Sequence, residues 1–368
     1  MYLYHLLFYG VYSWYAYNNP SDSKNYFGKI SSHTGDWFDL FGTDTAFINF
    51  FGYPFYSIGF TYDMLMVTFA WFGYLGFVYA YMFFREKIPI KIKLFKKIDL
   101  FTLILFFPNM HFWTASLGKG SAIFLGLMMF TYAIIKPKSR ISLLILSSII
   151  IYYIRPHVFL FVAVGTVLGY MSGREKIPFW QKALVFFALG GSIILVQDQI
   201  LGVLNLQDSE NIIADFQEQS EERSADLSES GSGVDMSTYP LPIKLFTFWF
   251  RPLFIDAPNV LGLIVSAENL IYLILFMKII RKDFIKFIKK APAVVKMSLV
   301  IFFTTSFAMT FVMSNLGIIM RQKQMVMYFL FFVIYYYLAQ KKYNKILKVR
   351  TRKLAQIEKN NLKPAALV

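Results

Sequence analysis

The chain has 368 residues, of which 57% are hydrophobic, 19% aromatic and only 16% charged, with a formal net charge of +15. Soluble domains carry about 25% charged residues, so this composition excludes a water-soluble globular fold. A bilayer is the solvent that suits 41 Phe and 24 Tyr. Cys is absent and His numbers four, which excludes disulfides, thiol nucleophiles and Cys-ligated zinc.

A helix needs roughly 17–25 apolar residues to cross a hydrocarbon core of ~30 Å. The first run, 2–17, is short and Tyr-rich, and it lacks the basic leader and cleavage site of a signal peptide. Residues 18–60 form a first long connection, whose stretch GDWFDLFGTDTAFINFFGYPFY predicts helices lying in the membrane interface. Apolar runs follow at 61–84, 100–117 (interrupted by Pro108), 120–135, 141–154, 157–172 and 182–197. A second long connection, 198–257, carries an acidic, Ser-rich stretch over 208–235 whose composition predicts mobility. It ends on the aromatic PLPIKLFTFWFRPLFIDAPN. Runs at 258–280, 292–313 and 324–340 precede a basic tail, 341–368. The expectation is an all-α, polytopic membrane bundle over 1–340 with about ten transmembrane helices.

Charge sets the orientation. The connections 85–99, 136–140, 173–182 and 278–296, with the tail, hold 28 of the 37 Lys and Arg. The alternate connections hold most of the acids, including ten between Asp198 and Asp235. Basic loops stay cytoplasmic, so both termini are expected in the cytoplasm and the two long connections outside it. The positive charge then reads as a topology determinant and requires no nucleic-acid partner.

Lys119, Arg155, Arg251 and Arg321 are cations outside those loops. They lie in PNMHFWTASLGKGS, YYIRPH, WFRPLFIDAPN and SNLGIIMRQKQ, each beside a Pro, Gly or aromatic residue at an outer membrane boundary. An ionisable group at membrane depth costs several kcal/mol unless it is paired or faces water. If the four converge on one outward cavity, they supply the chemistry that holds a phosphate or pyrophosphate; the competing reading is that each snorkels to the interface. A break at Pro108 is tolerated only where backbone lines a protein-enclosed cavity, and it would present His111 and Lys119 near the boundary. Asp22, in SDSKNYF, and Asp36 are the candidate general bases, and His157 is a candidate proton shuttle or phosphate ligand. Glu268 with Asn269 reads as a polar contact between helices. Phosphate-loop, nucleophile-elbow, HExxH and EF-hand motifs are absent.

Asp22-Ser23-x-x-Tyr26, PNMHFWTASLGKGS, FRPLFIDAPN followed by Glu268-Asn269, and NLGIIMRQK together resemble bacterial membrane proteins of surface-polysaccharide clusters. The chain is similar to Wzy-like and EpsG-like polysaccharide polymerases and to the broader GT-C class of lipid-linked-sugar glycosyltransferases. The resemblance implies a multi-pass enzyme of the bacterial inner (plasma) membrane that takes an undecaprenyl-phosphate- or -pyrophosphate-linked sugar at the outer leaflet. It also implies membrane lipids and other polysaccharide-assembly proteins as partners. Arg251 and Arg321 would contact the pyrophosphate, Lys119 would assist, and Asp22 would act as acid or base. GT-C enzymes commonly carry an acidic pair in the first outer loop; here Lys24 stands where a second acid would follow Asp22. No cofactor is expected, and a divalent metal, though compatible with the class, is not indicated. A transporter or flippase of a lipid-linked or anionic substrate stays open as the alternative, as does a structural partner within a synthesis complex.

Overall fold

The computed structural model describes residues 1–94, 97–173, 178–180, several positions between 182 and 191, Gly233, Val234, Met236, 239–257 and 260–361. The run at 182–197 and the acidic stretch 208–235 therefore lie largely outside the described residues. Within the described residues the chain is all-α apart from one small hairpin.

Helix α1 (Tyr2–Asn18) leads to α2 (Asp22–Ser31), a 3-10 turn (Trp37–Leu40) and α3 (Thr45–Ser57), so the first long connection is helical. Helix α4 (Tyr62–Lys87) starts where the Thr61 hydroxyl accepts from the Met64 N–H at 3.4 Å. Asp63 in its first turn and Arg85 and Lys87 in its last complement the helix dipole. The antiparallel hairpin β1 (Lys93–Leu94) and β2 (Ile98–Asp99) follows, and Asp99 caps α5 (Leu100–Leu105). Pro108 ends that run and opens α6 (Pro108–Thr114), as a residue with no N–H to offer does best at a first turn. Next come α7 (Lys119–Ala133), α8 (Ile141–Ile154) and α9 (Pro156–Ser172). After the second long connection lie α10 (Leu241–Phe250), α11 (Val260–Met277), α12 (Lys282–Lys289), α13 (Ala293–Val312), α14 (Leu316–Gln322) and α15 (Gln324–Asn361).

Among the described residues, three helices are long and apolar enough to cross a membrane: Tyr62–Lys87, Val260–Met277 and Ala293–Phe311. The pair Leu316–Gln322 and Met325–Glu358, bent by 56°, would make a fourth. Fewer than ten helices among the described residues meet that standard, in part because the run at 182–197 lies largely outside them and in part for a geometric reason. Helices α7, α8 and α9 have 15, 14 and 17 residues, about 21–26 Å at 1.5 Å per residue, and the 100–117 run is split at Pro108.

Lipid is as apolar as the helices it surrounds, so association depends on close packing rather than on the hydrophobic effect. Helix α9 supplies that contact through Gly165 and Gly169, with Gly173 following just beyond its end, on the side that meets α13. A Cβ on Gly169 would lie 2.7 Å from the Met297 backbone, and one on Gly173 would lie 2.5 Å from the Ala293 Cβ. Helix α15 is the centre of the bundle: residues 325–335 are all buried, while the same helix runs out exposed from Gln340. The basic tail is thus a helical extension as far as Asn361.

The two ends of the bundle differ. At one, Glu86 binds Lys136 at 2.7 Å and Arg140 at 2.8 Å, joining the ends of α4 and α7 to the start of α8. There too Lys342 donates to the Lys91 carbonyl at 2.8 Å, and Lys296 to that of Ser172. The opposite end gathers breaks between helices and holds the site described below. The glycine contact gives a direct expectation. Gly169→Val should force α9 from α13 and lower stability by about 1–3 kcal/mol, read as thermal unfolding in detergent. Gly28→Ala, where an added Cβ meets nothing within 4 Å, should leave the transition unchanged or raise it slightly.

Candidate functional site

Breaks between helices deliver the charged side chains. A residue before proline is disfavoured in the α region, and Arg155 (φ −153°, ψ 86°) is accordingly extended between α8 and α9. Gly118, at φ +148°, turns the chain between α6 and α7, and a Cβ there would meet the Tyr26 ring at 2.9 Å. Lys119 thereby becomes the first residue of α7. Asn315 caps α14 by accepting from the Ile318 N–H at 3.1 Å, and Arg321 lies in that helix's last turn.

These breaks enclose a cavity of about 280 Å³. Lys29, Lys119, Arg155 and Arg321 line it together with Asp22 and Tyr26. Arg321 Nη1 donates to Asp22, and Lys119 Nζ donates to Asp44. Among the described residues, four cations line the cavity, and Asp22 and Asp44 each pair with one of them. Ligand pockets usually run from about 300 to 1,000 Å³, so this one is sized for a small anion or a head group. Trp113 forms one wall, its ring centroid 6.0 Å from the Arg321 guanidinium carbon.

Asp44 holds the left-handed φ of 62°, unusual for a residue with a side chain, and its N–H donates to the Tyr153 carbonyl at 2.7 Å. That bond ties the start of α3 to the end of α8 and aims the carboxylate at Lys119. Burial opposes ionisation of Asp44, but Lys119 outweighs it and holds the carboxyl below the usual aspartate range. Burial likewise pushes the Tyr26 hydroxyl up to about 12, so at neutral pH it is a protonated donor in the cavity wall.

The cavity therefore brings together Asp22, Lys119, Arg155 and Arg321, and four other candidates lie elsewhere. Arg251, extended beyond α10 ahead of Pro252, pairs with Asp256 at 2.5 Å and does not line the cavity. Asp36 caps the 3-10 turn: its carboxylate accepts from the Phe38 N–H at 2.8 Å while its own N–H donates to Asp39 at 2.9 Å. His157 is half-buried in the first turn of α9 and is not a lining residue. His111 is fully buried rather than presented at a boundary. The Pro108 break turns it inward, 2.9 Å from His5 between Nδ1 atoms and stacked on Phe77 with ring centroids 3.9 Å apart.

One buried charge escaped the sequence reading. Lys323 is fully buried, and its Nζ donates to Asn269 Oδ1 at 2.9 Å and to the Arg251 carbonyl. Beside it Glu268 accepts from the Asn109 N–H at 2.8 Å and from the Tyr272 hydroxyl. Glu268 and Asn269 thus make contacts between helices, linking α6, α11 and the α14–α15 junction. The signal for Lys323 was its place two residues after Arg321 at the head of an apolar run. Among the described residues no three His, Asp or Glu side chains come together as a metal ion requires. No protein-family model matches the chain, and neither a curated protein nor a solved structure matches it.

The Asp44 pair fixes a pH dependence. Because the folded carboxyl lies below its ordinary value of 3.8, the stability it contributes is fully present above that value and is lost as pH falls through the folded one. Wild type should therefore melt above Asp44→Asn at neutral pH, and the gap should close on acidification. A gap that stays constant across that range would refute the pairing.

Proposed function

We propose that the chain is a membrane glycosyltransferase of surface-polysaccharide assembly, specifically a polysaccharide polymerase. Its cationic cavity holds the phosphate or pyrophosphate of an undecaprenyl-linked sugar donor. The observation that carries this reading is the convergence of Lys119, Arg155 and Arg321 with Asp22, from four remote stretches of sequence, on one cavity at one end of the helices. Guanidinium groups bind phosphate through paired N–H donors, and Lys119 adds a point charge. Arg251, bound to Asp256, does not line this cavity, and its carbonyl accepts from Lys323 behind it.

In the reaction, the acceptor hydroxyl oxygen attacks the anomeric carbon of the donor sugar. The bond from that carbon to the phosphate oxygen breaks, and the lipid pyrophosphate leaves with the electron pair. Arg155 and Arg321 stabilise the charge that develops on the leaving group. Asp22 takes the proton lost by the acceptor hydroxyl. The Asp22–Arg321 pair suits this order, since an arriving phosphate competes for Arg321 and releases the carboxylate. In this reading the chain crosses the bacterial inner membrane ten times with both termini cytoplasmic and the cavity outside. The position of Lys136, Arg140, Lys296 and Lys342 at the end away from the cavity supports that orientation.

A second reading, a carrier or flippase of the same class of anion, draws on α6 and α14. Both are seven-residue broken helices, joined where Asn109 Nδ2 donates to the Met320 carbonyl at 2.9 Å. Carriers build their sites from such discontinuous helices. Sugar transfer from a lipid-linked donor by the purified protein separates the two readings.

Two substitutions test the leading reading. Arg321→Ala should lower the transfer rate about 10²–10³-fold, the usual loss for one stabilising donor. Asp22→Asn should lower it about 10²–10⁴-fold while pyrophosphate binds as tightly as before or more so, because Arg321 is set free. Polymer of normal length and amount from cells carrying either variant would sink the proposal.

A further inference from the structure

A second cavity, of about 700 Å³, adjoins the first between α1, α6, α11 and α14. Its walls are apolar, formed by side chains such as Phe8, Val11, Phe112, Ile264 and Ile318. Trp113 and Arg321 line both cavities, so the two are continuous around one aromatic ring and one guanidinium. Ile264 is 46% exposed, which leaves this groove open along α11 to the surrounding hydrocarbon. Among the described residues that line the groove, Arg321 is the one charged residue, and it stands at the junction with the cationic cavity.

We infer that the groove receives the head-proximal part of a polyprenyl chain whose phosphate sits at Arg321, so that one lipid phosphate occupies both cavities. The inference rests on the donor class proposed above and specifies where its lipid goes. A free anion would be served by the small cavity alone, and a purely apolar molecule would gain nothing from Arg321. An amphiphile with one anionic end matches both parts. A single groove takes a single chain, which favours a polyprenyl phosphate over a diacyl phospholipid. Along α1 the groove runs from Phe8 to Tyr15, about 10 Å of helix. Only the start of the chain is enclosed, and the remainder lies in the bilayer. Trp113 packs at the point where chain becomes phosphate, an interfacial position that suits an aromatic with an apolar body and a polar edge.

The test uses the full-length protein in detergent and three probes: undecaprenyl phosphate, inorganic pyrophosphate and dioleoyl phosphatidic acid. Ile264→Trp and Ile318→Trp fill the groove from two different helices, and thermal unfolding checks that both variants are folded. Each should weaken undecaprenyl phosphate binding by about tenfold or more and leave pyrophosphate binding as in wild type. Arg321→Ala should weaken both ligands. Unchanged undecaprenyl phosphate binding in both folded groove variants would overturn the inference. So would phosphatidic acid that competes as well as the polyprenyl ligand, since the groove would then hold ordinary membrane lipid. Chain-dependent binding without any sugar transfer would remove the enzymatic reading and leave the groove standing. Transfer with affinity independent of the chain would do the reverse.

Discussion

Two carboxylates from the segment ahead of α4 hold the functional end of this bundle together. Asp22 reaches Arg321 across 299 positions of sequence and Asp44 reaches Lys119 across 75. Lys119 and Arg321 are partly buried, and a charge drawn out of water is costly unless it is paired, so each carboxylate helps to hold its cation in place. The pairs explain local features that would otherwise be liabilities. Asp44 adopts φ 62° because its N–H is committed to Tyr153 while its carboxylate is committed to Lys119. Gly118 is required because Tyr26, one turn beyond Asp22 on α2, packs where a Cβ would stand. The first connection is thus a part of the site rather than a cover for it.

Behind the cavity lies a second polar layer with a different task. Lys323, Glu268, Asn269, Asn109 and Tyr272 are all buried, and they bond one another and the backbone across α6, α11 and the α14–α15 junction. Removing one member of such a set leaves another buried and unsatisfied, a larger penalty than the loss of a single bond. The network therefore fixes the two short helices α6 and α14, and these carry Trp113 and Arg321. The wall common to the polar cavity and the apolar groove is held from inside the bundle by this layer and from outside it by Asp22.

Much of this arrangement was legible in the sequence, and the misses have physical causes. Helix positions followed from apolar run length: α8 spans Ile141–Ile154, the run read from composition alone, and α4, α7, α9, α11 and α13 agree within a few residues. Breaks were visible as Pro108, Gly118 and Arg155-Pro156, since these residues act through local backbone sterics. What could not be read was which way a break turns its neighbours. Lys119 and His111 lie on either side of one break, yet the first meets the cavity and the second meets the core against His5 and Phe77. Arg155 and Arg251 both precede a proline, yet Arg155 lines the cavity while Arg251 binds Asp256, five residues away. The glycines at 165, 169 and 173 were readable as a small-residue stripe and went unremarked, because hydropathy is blind to close packing.

The net charge of +15 also changes meaning once it is divided in space. Most of it lies at the end of the helices where Glu86, Lys136 and Arg140 meet and along the exposed part of α15. There much of it is exposed. Of the smaller set in the cavity, Lys119 and Arg321 are held against carboxylates in a partly enclosed space, where Coulomb interactions are stronger than in water. In the proposed function an arriving anion meets Arg321 already occupied by Asp22, and the free energy of binding is the difference between two salt bridges. Exchange of that kind links occupancy of the cavity to release of a carboxylate. A simple electrostatic trap would omit Asp22, bind the anion more tightly and gain no base. The presence of Asp22 in the wall therefore favours chemistry over mere capture.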